Sequence, residues 1–288
     1  MKLKILFEEI KSFILHLRLP YQVLLLSGPY LLGGVLSQKE NVATFLIQFF
    51  NVHLLLYGGS TVYNSYYDKD EGPIGGLKSP PKMKNWMLYA SIILMIFGIS
   101  IAFLSSTILG YLSFLGILLG IAYSHPNIRT KSKPLLSTIT IGLSMLIGVF
   151  LGFFAFGGKP EIYLYLGGIG STLIILSLYP VSQIYQIKDD KKRGDITFAI
   201  KYGVKNIRKF FAYSFYLGLI FVVYSLMSKN ILFAIALLLL GIFGGAYTFY
   251  LLKHLTGVKK EYGKVMQIKF ILSICFNLFL LLMLILIL

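Results

Sequence analysis

Apolar runs of roughly 20 residues, set apart by short polar segments, recur along the chain at 20–37, 42–63, 86–105, 108–124, 134–156, 163–187, 208–227, 231–252 and 266–288. A helix needs about this length to cross a hydrocarbon core ~30 Å thick. The pattern predicts nine membrane-spanning helices, the third and fourth joined by a very short hairpin. Residues 1–19 follow another rhythm. Leu6, Ile10, Phe13, Ile14 and Leu17 fall on one helical face, which predicts an amphipathic helix lying at the membrane surface. Glu8 and Glu9 interrupt any apolar core that a cleavable signal peptide would need.

Charge gives the layout a direction. Let the polar segments alternate between the two sides of a membrane, with the N-terminus in the cytoplasm. Of the 27 Lys and Arg, all but Lys39, Lys159 and Lys229 then lie on the cytoplasmic side. This asymmetry is the usual orientation signal of multi-pass proteins. The expected setting is the cell (inner) membrane, with the N-terminus and the acid-bearing loops cytoplasmic. The formal net charge of +16 reads as topology plus attraction to anionic lipid. No soluble module collects the basic residues, so nucleic acid is excluded as a partner, and no obligate protein partner is evident. A composition 57% hydrophobic and 13% charged, with mean hydropathy +0.78, fits an all-α integral membrane protein forming a single domain. The one cysteine, Cys275, lies in the last apolar run, which leaves no disulfide or thiolate cluster within one chain.

Six of the 11 acidic residues gather in two places: Asp68, Asp70 and Glu71 after the second run, and Asp189, Asp190 and Asp195 after the sixth. The topology puts both on the cytoplasmic side. A helix continued through the first cluster would align Asn64, Asp68 and Glu71 with Ser60, Tyr57 and His53, because positions four and seven apart share a face. The sixth run carries a similar stripe through Thr172, Tyr179, Gln183, Gln186 and Asp190. Polar stripes at this depth face a cavity or the bundle interior. Carboxylates and amide oxygens at one membrane face suit a hard cation such as Mg²⁺, which keeps part of its shell for water and phosphate oxygens. Nearby loops supply bases: Lys78, Lys82 and Lys84, then Arg129, Lys131 and Lys133, then Lys191, Lys192 and Arg193. Acids for a metal beside bases for a polyanion are what a diphosphate site requires.

Four segments, in order along the chain, resemble the UbiA-type intramembrane prenyltransferases. "YNSYYDKDE" is similar to the family's first motif, NxxxDxxxD, through Asn64 and Asp68. "YQIKDDKKRGDITFAIKYG" is similar to the second, through Asp190, Gly194, Thr197 and Gly203. "YSHPNIRTKSKP" and "LRLPYQVLLLSGPYLLGG" match its Tyr-Ser-x-Pro segment and its opening. The resemblance covers most of the chain. It implies nine helices around a lipid-open cavity, arranged as two related four-helix units (20–124 and 134–252) plus the last span. It also implies Mg²⁺ as cofactor, and transfer of a prenyl group from a prenyl diphosphate to an aromatic, small-molecule or lipid acceptor, as in lipoquinone or related lipid biosynthesis.

Two positions depart from the family pattern. Gly72 stands where the first motif has its last Asp, and Gln186 where the second has its first. The expected metal ligands are therefore Asn64, Asp68, Glu71, Gln186 and Asp190, with Asp70 and Asp189 as substitutes. Asn64, Asp68, Glu71 and Asp190 are the expected catalytic set. Lys78, Lys82, Arg129, Lys131 and Arg193 are expected to meet the diphosphate, and His53, Tyr57, Tyr67, Tyr179 and Gln183 to line the cavity. Two alternatives stay open at this point. One is a terpene cyclase of the same fold that uses no acceptor. The other is a lipid or ion transporter, for which acids deep in the spans and interrupted helices would be expected.

Overall fold

The computed structural model describes residues 2–37 and 41–287; Lys39 lies outside them. Its helices are α1 (Lys2–Leu17), α2 (Leu19–Ser37), α3 (Val42–Phe50), α4 (Tyr57–Asp68), α5 (Asn85–Ser105), α6 (Thr107–Ser124), α7 (Pro134–Ala155), α8 (Ile162–Leu178), α9 (Ile187–Arg193), α10 (Phe198–Met227), α11 (Ile231–Lys253) and α12 (Tyr262–Ile287). A π-helical turn, Asn51–Leu56, joins α3 to α4, and a 3₁₀ segment, Pro180–Gln186, joins α8 to α9. Among the described residues there are nine helical segments long and apolar enough to cross a membrane, in agreement with the nine apolar runs. Only a helix satisfies its own backbone groups in lipid, which is why runs of this composition fold this way. Leu104 is 88% exposed and Phe243 73% exposed, apolar surface that lipid covers. The protein is an integral, multi-pass membrane protein.

Association of such helices depends on close packing, because lipid is as apolar as the side chains themselves. Gly33 of α2 and Gly152 of α7 show how this works. A Cβ on Gly33 would run into the Val149 carbonyl, and one on Gly152 into the Tyr30 carbonyl. The two helices touch backbone to backbone and form one side of the bundle. Arg18, with φ +51°, breaks the chain between α1 and α2. It lets α1 turn aside to pack on α4, leaving Leu3, Leu6, Phe7 and Ile10 exposed.

Two spans differ from the uninterrupted helices expected of their apolar runs. In the sixth, Pro180 has no N–H to donate, and the chain winds as a 3₁₀ segment before α9 resumes. In the second, the π turn holds His53, which is buried with Nδ1 on the Phe49 carbonyl (2.7 Å) and Nε2 on the Ser27 hydroxyl (3.1 Å). These bonds tie the second span to the first.

Candidate active site

The acid-bearing α4 and α9 gather with the end of α6 and parts of α2, α7 and α12 around a cavity of about 310 Å³. Its apolar walls include Leu25, Leu56, Ile117, Met145 and Leu151, while Asp68, Asp70, Asp190 and Asp195 line its polar mouth. Asn64 and Gln186 line it as well, and Asn64 Nδ2 donates to the Ser124 hydroxyl (3.0 Å). Tyr57, Tyr123 and Tyr179 form part of the wall, with the Tyr123 and Tyr179 hydroxyls 3.1 Å apart. Gln183 also faces the cavity and accepts from the Ala199 N–H (3.2 Å) at the first turn of α10.

The first acid cluster is shaped by where α4 stops. The helix ends at Asp68, and Lys69 takes the left-handed conformation with φ +49° and ψ +41°. This one residue breaks the helical phase. Asp70 swings into the cavity mouth, whereas Glu71 is exposed and lines no part of the cavity. Placement of Glu71 on the Asn64–Asp68 face assumed helix through residue 71, and Asp70 occupies that place instead. A Cβ on Gly72 would meet the ends of the Asp189 and Lys259 side chains, which would have to shift to admit it. Asp189 lines no part of the cavity and pairs with Lys259 at 3.3 Å instead.

The second cluster stays helical for one more turn. Within α9, Asp190 and Arg193 lie three residues apart and pair. Gly194, with φ +79°, then ends the helix, a conformation that glycine adopts without steric cost. Asp195 returns towards the same centre. Its carboxylate receives Arg129 Nε and an Arg129 terminal N–H at 3.0 Å each, and Arg193 Nε at 3.3 Å.

These groups form one ion-pair network. Arg193 contacts Asp70, Asp190 and Asp195; Arg129 contacts Asp195 and, at 3.4 Å, Asp68; Lys131 contacts Asp68. The side chains of Asp68 and Asp190 are each only 6% exposed. Burial and the adjacent charge of Asp68 raise the Asp70 carboxyl above its ordinary range, against the pull of Arg193 and Lys131. Burial also pushes Asp195 upward, but the hydrogen bonds and charge of Arg129 dominate and hold it below the ordinary range. Packing so many charges out of water costs stability unless every group is paired.

The remaining expected residues divide cleanly. Lys131 and Arg193 line the cavity, and Arg129 reaches it through its two carboxylate partners. Lys78 and Lys82 are exposed and line no part of it, Lys82 instead standing beside Glu8 and Glu9 of α1. His53 and Tyr67 also lie off the cavity wall; Tyr67 packs on Tyr63 and His125. Arg18, Tyr123, Asp195 and Lys269 line the cavity without having been expected there. For Lys269 the sequence carried a usable signal, since a charge inside an apolar run points to function by default.

The donors suit a hard cation in kind: carboxylates from Asp68, Asp70 and Asp190, amide oxygens from Asn64 and Gln186, and no sulfur or imidazole. Among the described residues, no three His, Cys, Asp or Glu side chains are grouped as a ready-made metal cage. The bases standing between the carboxylates account for the separation. Mg²⁺ commonly binds through one or two carboxylates together with substrate phosphates, not a full protein cage, so the residues present fit it.

Comparison with known proteins adds independent findings. A family model described as the UbiA prenyltransferase family matches residues 26–274. A lycopene elongase/hydratase of Haloarcula japonica is 25% identical over 214 residues, covering 69% of this chain and 70% of that protein. A UbiA homologue of Archaeoglobus fulgidus bound to GPP and Mg²⁺ superposes with a TM-score of 0.74 at 16% identity, over 95% of this chain and 99% of that one. The same homologue bound to DMAPP and Mg²⁺ gives 0.71 at 15% identity, over 93% and 98%. At such identities the structural likeness establishes the fold.

Proposed function

Because the chain belongs to the UbiA prenyltransferase family, we propose that it moves the prenyl group of a prenyl diphosphate, bound with Mg²⁺ at the Asp68–Asp70–Asp190 mouth, onto a small-molecule or lipid acceptor. The observation that carries this reading is the convergence of both acid clusters, with Lys131, Arg193 and Arg18, on one cavity with apolar walls. The solved relatives that hold GPP or DMAPP with Mg²⁺ support the same substrate class. The basic asymmetry along the chain supports a cytoplasmic N-terminus and a cytoplasmic mouth in the cell membrane.

Asp68, Asp70 and Asp190, helped by Asn64 and Gln186, would hold Mg²⁺. When bound, the metal supplies positive charge against the diphosphate oxygens. Lys131 and Arg193 exchange their carboxylate partners for phosphate oxygens. Arg18, which donates to the Ser65 hydroxyl (2.6 Å) and the Gly75 carbonyl (3.4 Å) and makes no ion pair among the described residues, joins them. Together these charges stabilise the leaving group as the allylic C–O bond breaks and its electron pair departs with the diphosphate. The faces of Tyr57, Tyr123 and Tyr179 shield the cationic C1 from water and stabilise it by cation–π attraction. The acceptor's electron pair then forms the new bond to C1, and the proton it sheds leaves with the diphosphate.

The interrupted sixth span matched one expectation for a transporter, but membership of a prenyltransferase family sets that reading aside. The test is incubation of purified protein with Mg²⁺ and a series of labelled prenyl diphosphates, with and without membrane lipid extract. Diphosphate release that depends on the extract is the expected result. Release of a hydrocarbon without extract would move the assignment to a cyclase, and no release at all would remove it.

A further inference from the structure

Lysines of the first loop that miss the mouth gather elsewhere. Lys82 and Lys84 meet Lys4, Glu8, Glu9 and Ser12 of α1 around an open groove separate from the cavity. Glu9 and Lys84 are committed to each other: Glu9 Oε1 lies 3.4 Å from Lys84 Nζ, while Glu9 Oε2 accepts from Trp86 Nε1 at 3.0 Å. Lys4 and Lys82 make no ion pair among the described residues. Of the uncommitted charges in the groove, two are therefore cations and one, Glu8, is an anion. Ser12 is 8% exposed, and its hydroxyl is buried without a partner. A serine within a helix can place its hydroxyl on the carbonyl four residues back, but here that bond is not made. A buried hydroxyl left unpaired is costly, so the groove is short of an acceptor.

The groove also lies where lipid headgroups lie. On one side is α1, with Leu3, Leu6, Phe7 and Ile10 exposed. On the other is the start of α5, whose Met87 lines the groove and whose Trp86 is an aromatic residue of the kind that marks the membrane interface. The exposed Tyr89, Ile93, Ile96 and Phe97 continue from Trp86 along one strip of α5, because positions three and four apart share a face. A lipid with its head in the groove would have a path for its chains along this strip. Lys82 belongs to the loop that begins with Asp70, and α1 already holds that loop through His16 Nε2, which donates to the Pro81 carbonyl at 2.9 Å.

We propose that this groove is a lipid site, in which the phosphate of an anionic membrane lipid sits between Lys4 and Lys82 and accepts from the Ser12 hydroxyl. Two ammonium groups and an unused hydroxyl offer donors, which is what phosphate oxygens require. The bound lipid fastens α1 to the loop between Asp70 and the third span, adding to the bond from His16. The inference does not depend on the prenyl-transfer reading.

The chain carries its own reporter, because Trp86 is its one tryptophan and bonds to Glu9 of the groove. The full chain is reconstituted into mixed vesicles of phosphatidylglycerol and phosphatidylcholine, with bromine on the chains of one lipid or the other. Quenching of Trp86 fluorescence then gives the relative affinity of the two lipids beside the groove. Phosphatidylglycerol should be preferred on the order of 10-fold, the scale of one or two basic residues facing an anionic lipid. The Lys4→Gln/Lys82→Gln variant should lose the preference. Lys201→Gln/Lys205→Gln, which removes the same charge from exposed positions of α10, should retain it. Equal quenching by the two lipids overturns the proposal, as does a preference that survives in the first variant. Equal loss in both variants would assign the preference to overall charge and overturn it too. A preference lost in Glu8→Gln would assign the groove to a headgroup amine and overturn the phosphate. Excess inorganic phosphate at constant ionic strength should leave the quenching unchanged; abolition of the preference would overturn lipid as the occupant.

Discussion

The two acid-bearing segments reach the same cavity mouth by opposite means. After the second span the helix stops at Asp68, and a left-handed residue throws Asp70 inward and Glu71 outward. After the sixth, Pro180 breaks the span early, α9 restarts, and Asp190 and Arg193 share one helical face before Gly194 ends it. In one case the acid at the mouth depends on a helix ending, and in the other on a helix resuming. Helical phase assigns a side chain to a face only while the helix lasts. One residue of left-handed backbone is enough to exchange the roles of two adjacent acids.

The sharpest way to break the comparison is to remove one acid from each segment. Asp68→Ala and Asp190→Ala should each lower diphosphate release on the order of 100-fold or more, since both would act on the same developing charge. Steady-state release assays that showed a large loss in one and near-normal turnover in the other would mean the segments do not share a substrate. Next in size is the base that joins them. Arg193→Gln leaves Asp70, Asp190 and Asp195 short of a cation, and loss of one partner from a buried pair costs about 3 kcal/mol. Thermal unfolding in detergent should show this loss, with added Mg²⁺ recovering more stability in the variant than in the wild type.

A smaller effect separates the neighbours in the first segment. Asp70→Asn should raise the Mg²⁺ concentration needed for half-maximal activity by about 10-fold, the scale of one charge-assisted contact. Glu71→Gln should leave it within about two-fold, as for an exposed side chain. A magnesium titration with the opposite ranking would mean that α4 continues past Asp68 when substrate binds. The smallest effect is expected from Lys78→Gln and Lys82→Gln. Both lie off the cavity, so turnover should stay within about two-fold of wild type.

Much of the fold is legible in the sequence because lipid imposes a strict rule: about 20 apolar residues and a helix. The nine runs appear as nine segments among the described residues. The interruptions are harder to read. Pro180 signals the break in the sixth span, but its consequence, a 3₁₀ stretch that turns Gln183 and Gln186 to the cavity, depends on packing. The π turn at Asn51–Leu56 leaves no comparable mark. His53 could be placed on the right face and still miss the cavity, because its two ring nitrogens are used within the helix and by Ser27.

At the site, the acids were visible as clusters and their general location followed from topology. Which of them point inward did not, because that choice lies in the backbone of Lys69 and Gly194. Asp189 shows the same limit: it adjoins Asp190 in sequence but pairs with Lys259 instead. Long-range partners such as Arg129 with Asp195, 66 positions apart, are set by the bundle. Arg18 and Lys269 were present all along as single bases at the start of one apolar run and inside another. That both line the cavity, with no ion pair among the described residues, emerges only once the helices are assembled.

The central claim is that both acid segments hold one Mg²⁺–prenyl diphosphate complex at a single mouth. It is tested most directly by the Mg²⁺ dependence of prenyl thiolodiphosphate binding in wild type, Asp68→Asn and Asp190→Asn. The account predicts Mg²⁺-dependent binding in the wild type and its near loss in each single variant, because neither segment suffices alone. Undiminished Mg²⁺-dependent binding in either variant would contradict it.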